Sequence, residues 1–223
     1  MPSLEAWKRN TGRQVRILKL QQNTPEWYAL RPSKIGASDA ASITGKNPYK
    51  TPFMVWEEKL LGKETPINEF MQRGIDMEPE AREWISNKHN TKYETVCAED
   101  ENRSWRIASL DGWDGKVHVE IKCPTLRRLK DMQNGIVPEY WIIQVQHQMI
   151  VSGCAGAYLL GYSPEMQVEI FIERDEEVIA EIQEKEEQFY ENYMLTGIAP
   201  PLCSLDIEKS DHEMSWMPFI MGI

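Results

Sequence analysis

From Tyr140 to Pro164 the chain runs without a single formal charge. A stretch of that length has to be buried, in protein or in lipid. Gln144, Gln146, His147 and Gln148 crowd its first half, and four strongly polar side chains are costly in a bilayer that offers them no partners. Gly153, Gly156 and Gly161 punctuate the second half. The stretch therefore reads as a buried helix, Tyr140–Ser152, followed by a buried strand near Ala155–Tyr162, and not as a membrane span. A helix and a strand that are both buried need further layers to cover them, which predicts an α/β fold with a central mixed β-sheet flanked by helices.

The remaining pattern agrees. Strand-like runs occupy Lys92–Ala98, Ser104–Leu110, Lys116–Cys123 and Met166–Glu173, with turn signals at Asp111-Gly112 and Asp114-Gly115. Helices are predicted over Pro52–Leu61, Glu69–His89 (with Pro79 starting or kinking its main part), Leu126–Asn134 and Asp175–Leu195. With 223 residues, 41% hydrophobic and 27% charged, the chain can bury a sufficient core as one domain, 1–223, without disulfide or metal. Residues 200–223 form a tail that mixes acidic residues with Trp216, Met217, Phe219 and Ile220. It reads equally as a docking segment or as packing on its own domain. Cys97, Cys123, Cys154 and Cys203 contain no CxxC pair and no zinc spacing. Reduced thiols, and with no apolar leader pattern a cytoplasmic location, are expected.

The net charge of −10 argues against a nucleic-acid partner until it is divided along the chain. From Glu165 onward there are 15 acidic and three basic residues, whereas the first 164 hold 22 basic and 20 acidic. Lys8, Arg9, Arg13, Arg16 and Lys19 oppose only Glu5, and Arg127, Arg128 and Lys130 form a second cluster that could neutralise phosphates. A solvated helix face explains that second cluster equally well. The acidic run Glu173–Glu191 reads as a solvated face.

Chemistry concentrates in Lys116–Cys123. In a strand, Val117, Val119 and Ile121 point one way and His118, Glu120 and Lys122 the other. If the preceding strand pairs with this one, Asp111 and Glu120 converge where the two splay, with Lys122 beside them. Two carboxylates and a backbone carbonyl suit a hard divalent cation, and a neighbouring lysine can act on water or on a phosphate. A solvated strand face would account for the same residues taken alone. Upstream, Ser38 reads as the N-cap of a helix, and Arg31 offers a fork for phosphate oxygens.

Ser109-Leu110-Asp111-Gly112 with Glu120-Ile121-Lys122-Cys123-Pro124 resembles the core motif of the PD-(D/E)xK nucleases, which have a restriction-endonuclease-like core. Leu110 stands where that motif has proline. Three further segments narrow the resemblance: Trp27–Arg31 with Ile35–Ser38, Arg73–Arg82, and Gln144–Met149. Together they are similar to the phage-type recombination exonucleases, the family of lambda exonuclease and the YqaJ-like viral recombinases, over about Pro25–Ser152. The resemblance implies a 5′→3′ exonuclease acting at double-stranded DNA ends, encoded by a phage or prophage. Its site would use two Mg²⁺ ions, with Mn²⁺ as a substitute. Asp111, Glu120 and the Ile121 carbonyl would hold metal, Glu78 would join them directly or through water, and Lys122 would act on the water. Gln144 or Gln146 would reach the site, Gln146 being the slightly favoured choice. Arg31, Ser38 and Ser109 would hold the terminal 5′-phosphate. A homotrimer and a single-strand annealing partner are further implications. The rival readings are a structure-selective endonuclease on the same fold and a non-catalytic DNA-end-binding protein. His118 is expected to be a hydrogen-bonded neighbour rather than a ligand, and Glu78, beside Pro79, would serve otherwise as a helix N-terminal carboxylate.

Overall fold

The structure is a computed structural model that describes residues 15–63, 66 and 68–207. The basic residues before Val15 and the apolar end of the tail lie outside these residues. Its elements in chain order are β1 (Val15–Leu18), α1 (Pro25–Leu30), β2 (Ile35–Gly36), α2 (Ala37–Ile43), α3 (Pro52–Leu60) and α4 (Glu69–Lys88). There follow β3 (Glu94–Asp100), β4 (Arg106–Trp113), β5 (His118–Lys122), α5 (Leu126–Gln133), α6 (Glu139–Ser152), β6 (Gly156–Ser163), β7 (Met166–Glu173) and α7 (Glu176–Phe189), which ends in a π-turn at Tyr190–Met194. The caps are chemical. Thr24, Thr51, Asn68, Thr125 and Asp175 each accept a backbone N–H from the first turn of the helix that follows. Pro79 lies inside a continuous α4 and does not start it.

Six strands order as β1-β3-β4-β5-β6-β7, and β2 adds to β4 in parallel. Neighbours are antiparallel except β5 and β6, which run parallel across the α5–α6 crossover. The sheet is therefore mixed and flanked by helices on both faces, as expected. On one face Val119, Ile121, Leu160 and Tyr162 pack with Ala81 and Ile85 of α4. On the other, Leu159 and Ala157 pack with Leu129 of α5, Val145 and Met149 of α6, and Ile182 of α7. The alternation in β5 is thus real, but its polar face is not solvated: α6 covers it, and His118 and Glu120 are buried. Among the described residues no helix is long and apolar enough to cross a membrane, and the four cysteines are free.

Two expectations need correction. Asp111-Gly112 is not a turn. β4 continues through it to Trp113, and the chain reverses at Asp114-Gly115, where Gly115 has φ +91° and Asp114 Oδ1 accepts the Lys116 and Val117 N–H groups. Gly112 is required for a different reason: a Cβ there would lie 2.8 Å from Tyr93 Cβ, an atom tied to its own backbone. The acidic helix is not wholly solvated either. Glu186 is fully buried and receives Arg106 Nε at 2.7 Å, with His147 Nδ1 at 2.5 Å. At the far end, Thr51 Oγ1 donates to Asp206 at 2.5 Å, so the first residues of the tail pack on the start of α3.

The loop that will carry Arg31 is anchored by an ion pair. Asp39, 0% exposed, meets Lys59 Nζ at 2.7 Å and accepts the Gly36 N–H at 2.9 Å. Burial alone would push its carboxyl up, but Lys59, Lys50 and Arg31 outweigh burial and hold it well below the usual carboxylate range.

Two outcomes are expected. Gly112→Ala lowers unfolding free energy by about 1–3 kcal/mol in urea titration, because the strand must shift to clear Tyr93. Asp39→Asn leaves Lys59 unpaired and is destabilised by about 3–5 kcal/mol at pH 7. A carboxylate with a depressed folded pKa contributes above its unfolded value, about 3.9, so the gap between wild type and Asp39→Asn narrows as pH falls below about 4. A gap independent of pH down to 2.5 would mean that Asp39 is not held ionised.

Candidate active site

β4 and β5 pair only at Gly112–Val119 and Trp113–His118. Beyond that the strands part, and the freed backbone groups find other partners. Asp111 Oδ2 accepts the Ile121 N–H at 2.8 Å, Gln22 Nε2 donates to the Leu110 carbonyl at 3.0 Å, and Arg82 Nη1 donates to the Asp111 carbonyl at 3.1 Å. The splay is thus the device that sets Asp111 against the backbone of Ile121 and beside the Glu120 carboxylate.

Glu120 is 2% exposed and fully satisfied. Lys122 Nζ lies 2.6 Å from Oε1, which also accepts Gln144 Nε2 at 2.7 Å. Oε2 accepts Gln148 Nε2 at 2.5 Å. Lys122 in turn donates to Gln144 Oε1 at 2.9 Å. Gln144 and Gln148 are one helical turn apart on the same face of α6. Gln146 points elsewhere: its amide donates to the Glu173 carbonyl at 2.8 Å and accepts the Asp175 N–H at 3.1 Å. The preference for Gln146 is therefore corrected to Gln144, because positions two apart on a helix cannot share a face. Glu78, half-buried on α4, receives Arg82 at 3.1 Å.

The electrostatics describe a crowded anionic site. Burial, then the Glu120 and Glu78 carboxylates, push Asp111 well above the usual carboxylate range, against the Ile121 N–H and Lys122. Burial and Glu120 likewise push Glu78 up, against Arg82. Burial would lower Lys122, but Glu120 and Asp111 outweigh it and keep it an ammonium. Oxygen donors that repel one another suit a hard cation which takes one or two carboxylates and completes its shell with water and phosphate. The donor set fits Mg²⁺ in that manner. It is not a closed cage, since among the described residues no three His, Cys, Asp or Glu side chains converge as a metal-holding group.

The second half of the site rests on Trp27. Its Nε1 donates to Ser109 Oγ at 2.9 Å, and the Arg31 guanidinium stacks over its ring at 4.5 Å. Arg31 also donates to Ser38 Oγ at 3.3 Å, and Lys59 Nζ donates to the Arg31 carbonyl at 3.2 Å. Ser38 is not the N-cap. Gly36 holds that position and Asp39 closes the turn, leaving the Ser38 hydroxyl exposed at the second helical residue. Arg31, Ser38, Ser109, Lys59, Glu78, Asp111 and Gln144 all line one cavity of about 210 Å³. A larger cavity of about 480 Å³, between Asp100, Arg174 and Gln183, contains none of them.

Gln148, Lys59, Asp39 and Arg82 were not singled out for these roles by their sequence. For Gln148 a signal was present: four residues after Gln144, it had to share that residue's face. Arg127 and Lys130 are exposed on α5, and Arg128 pairs with Asp131 at 3.5 Å.

This geometry can be compared with that of known proteins. The chain is 30% identical over 196 residues to the uncharacterised protein YqaJ of Bacillus subtilis strain 168, a match that covers 82% of this chain and 60% of that one. It therefore spans less than two thirds of that relative's length. Among solved structures it resembles the alkaline exonuclease LHK-Exo of Laribacter hongkongensis, also solved in complex with dAMP. The likeness to the dAMP complex has a TM-score of 0.67 and 25% identity over 86% of this chain and 99% of the other. A phage-related exonuclease from Haemophilus somnus, 16% identical with a TM-score of 0.56 over 74% of this chain and 96% of its own, shares the fold. The sequence pattern of the YqaJ-like viral recombinase domain matches residues 26–155. That span is more than half of the chain and holds the carboxylates, Lys122, Gln144, Gln148 and the Arg31–Ser38–Ser109 group, so the chain belongs to the YqaJ-like viral recombinase family.

Proposed function

We propose that this protein is a metal-dependent exonuclease of the PD-(D/E)xK type. It would enter at the end of double-stranded DNA, degrade one strand 5′→3′ to 5′-mononucleotides and leave a 3′ single strand. The observation that carries this reading is that a phosphate-suited group, Arg31, Ser38 and Ser109, shares one cavity with Glu78, Asp111 and Gln144, beside Glu120 and Lys122. A grip suited to a terminal phosphate beside the carboxylates favours an enzyme that works from a strand end over an endonuclease. The likeness to LHK-Exo, an alkaline exonuclease with a structure in complex with dAMP, supports both the activity and a mononucleotide product.

In this reading Asp111, Glu120 and the Ile121 carbonyl would hold Mg²⁺, two ions in all and replaceable by Mn²⁺, with Glu78 joining them directly or through water. Bound there, the metal would supply an activated water and positive charge for the leaving 3′-oxygen. Lys122, kept as an ammonium, orients that water and stabilises charge on the phosphate rather than removing a proton. Gln144 holds both Lys122 and Glu120 in place. Arg31, fixed by Trp27 and by the Lys59 contact to its carbonyl, presents its fork to the terminal 5′-phosphate with Ser38 and Ser109, and this fixes the register at one nucleotide. The partners in this proposal are double-stranded DNA ends, two further copies of the chain in a homotrimer, and a single-strand annealing protein that loads on the exposed strand. Family membership supports these partners, and the setting would be the cytoplasm of a bacterial host.

The test is digestion of a linear duplex carrying one 5′-phosphoryl and one 5′-hydroxyl end, beside a covalently closed circle, with Mg²⁺. Mononucleotides released from the phosphorylated end with the circle intact are expected. A nicked circle would establish the endonuclease instead. Lys122→Ala should lose about 10²–10⁴-fold in rate while still binding DNA ends in a mobility-shift assay. Arg31→Ala should lose about 10–100-fold of the preference for 5′-phosphoryl over 5′-hydroxyl ends, the worth of hydrogen bonds to a charged group. An unchanged preference would remove Arg31 from the pocket.

A further inference from the structure

Gln148 is fully buried, yet its one amide group serves both halves of the site. One N–H of Nε2 goes to Glu120 Oε2 at 2.5 Å and the other to the Ser109 carbonyl at 3.2 Å. No other side chain in the described residues bridges a carboxylate of the metal half to a residue of the phosphate half in this way. A glutamine amide can be turned over, and turned over it would present its oxygen to Glu120 and repel it. Glu120 and the Ser109 carbonyl, both acceptors, favour the N–H sense, and a donor to Oε1 would lock it. Gln148 Oε1 is buried without a hydrogen-bond partner, and so are both ring nitrogens of His118. His118 lies on the same face of β5 as Glu120, two residues before it. A neutral imidazole carries one N–H and can donate it to Oε1, which then forces the amide N–H groups toward Glu120 and Ser109.

We propose that Gln148 is a positioning residue that locks the Glu120 carboxylate to the strand carrying Ser109, and that His118 sets the sense of its amide. The inference rests on the reading of Glu120 as a metal carboxylate. Neither residue touches DNA or the reacting atoms. Their effect is on how well Glu120 is aimed before any cation arrives, and partners of this kind are worth about 10–100-fold in metal affinity.

The experiment is an EPR titration of Mn²⁺ onto the full chain without DNA, for wild type, Gln148→Met, His118→Leu, His118→Asn and Asp111→Asn. Gln148→Met keeps the bulk and removes the donors, and should bind Mn²⁺ about 10-fold more weakly. His118→Leu should match it, and His118→Asn, which keeps an N–H, should recover most of the affinity. On DNA, kcat should fall in Gln148→Met while KM for 5′-phosphorylated ends holds, since Arg31 and Ser38 are untouched. Wild-type Mn²⁺ affinity in Gln148→Met, with binding abolished in Asp111→Asn, overturns the proposal and leaves the metal reading standing. Wild-type affinity in Asp111→Asn as well overturns both. If the Gln148 and His118 variants do not fold, the wild-type protein still decides by NMR. Side-chain amide protons of Gln148 protected from exchange, with a single neutral tautomer at His118, support the proposal; exchange as fast as an exposed glutamine overturns it.

Discussion

A carboxylate withdrawn from water has to be met by donors, and the way Glu120 is met organises the molecule. Its partners are Lys122 from its own strand and Gln144 and Gln148 from α6. To place those two amides, α6 must lie across the polar face of β5. That is why the charge-free stretch exists at all: a helix covering this face has the sheet on one side and α2 and α7 on others, with no room for an unpaired charge. The parallel β5–β6 pairing follows, because the chain must cross over the sheet to return after α6.

The parting of β4 from β5 is the complementary constraint. Past the last rung, the Ile121 N–H and the carbonyls of Leu110 and Asp111 meet side chains rather than a facing strand. Asp111, Gln22 and Arg82 satisfy them, and two of these contacts draw another element inward: the segment after β1 through Gln22, and α4 through Arg82. Unmade ladder bonds are thereby turned into the attachments that bring Glu78 and the Trp27 loop to one cavity. Burial and the neighbouring carboxylates raise Asp111 and Glu78 there, against Lys122 and Arg82.

Much of this was legible in the sequence because it depends on period. Alternation from Val117 to Lys122 placed Glu120 and Lys122 on one face, and the helix and strand of the charge-free stretch came out within a residue or two at each end. What was not legible depends on contact. Asp111-Gly112 has the composition of a turn, and only the approach of Tyr93 shows why glycine is needed inside a strand. Ser38 is a better N-cap than Gly36 by residue type, but Asp39, pinned by Lys59 from a different helix, decides the matter. The acidic run gave no hint that Glu186 turns inward, because its partners Arg106 and His147 come from 80 and 39 residues away. The choice between Gln144 and Gln146 was open to helical geometry alone, and Gln148 was the residue that could have settled it.

The bond between Trp27 and Ser109 closes a loop of 82 residues, whereas the bond between Gln148 and Glu120 closes one of 28. Closure entropy grows with the logarithm of loop length, so the first costs about 1 kcal/mol more than the second. The two halves of the cavity are therefore unequal in the folding of the chain. The carboxylate and its amides can come together within the β5–α5–α6 segment, whereas the seat of Arg31 requires the two ends of a much longer excursion to meet. The seat of Arg31 is thus the half of the cavity whose closure costs the chain more conformational entropy.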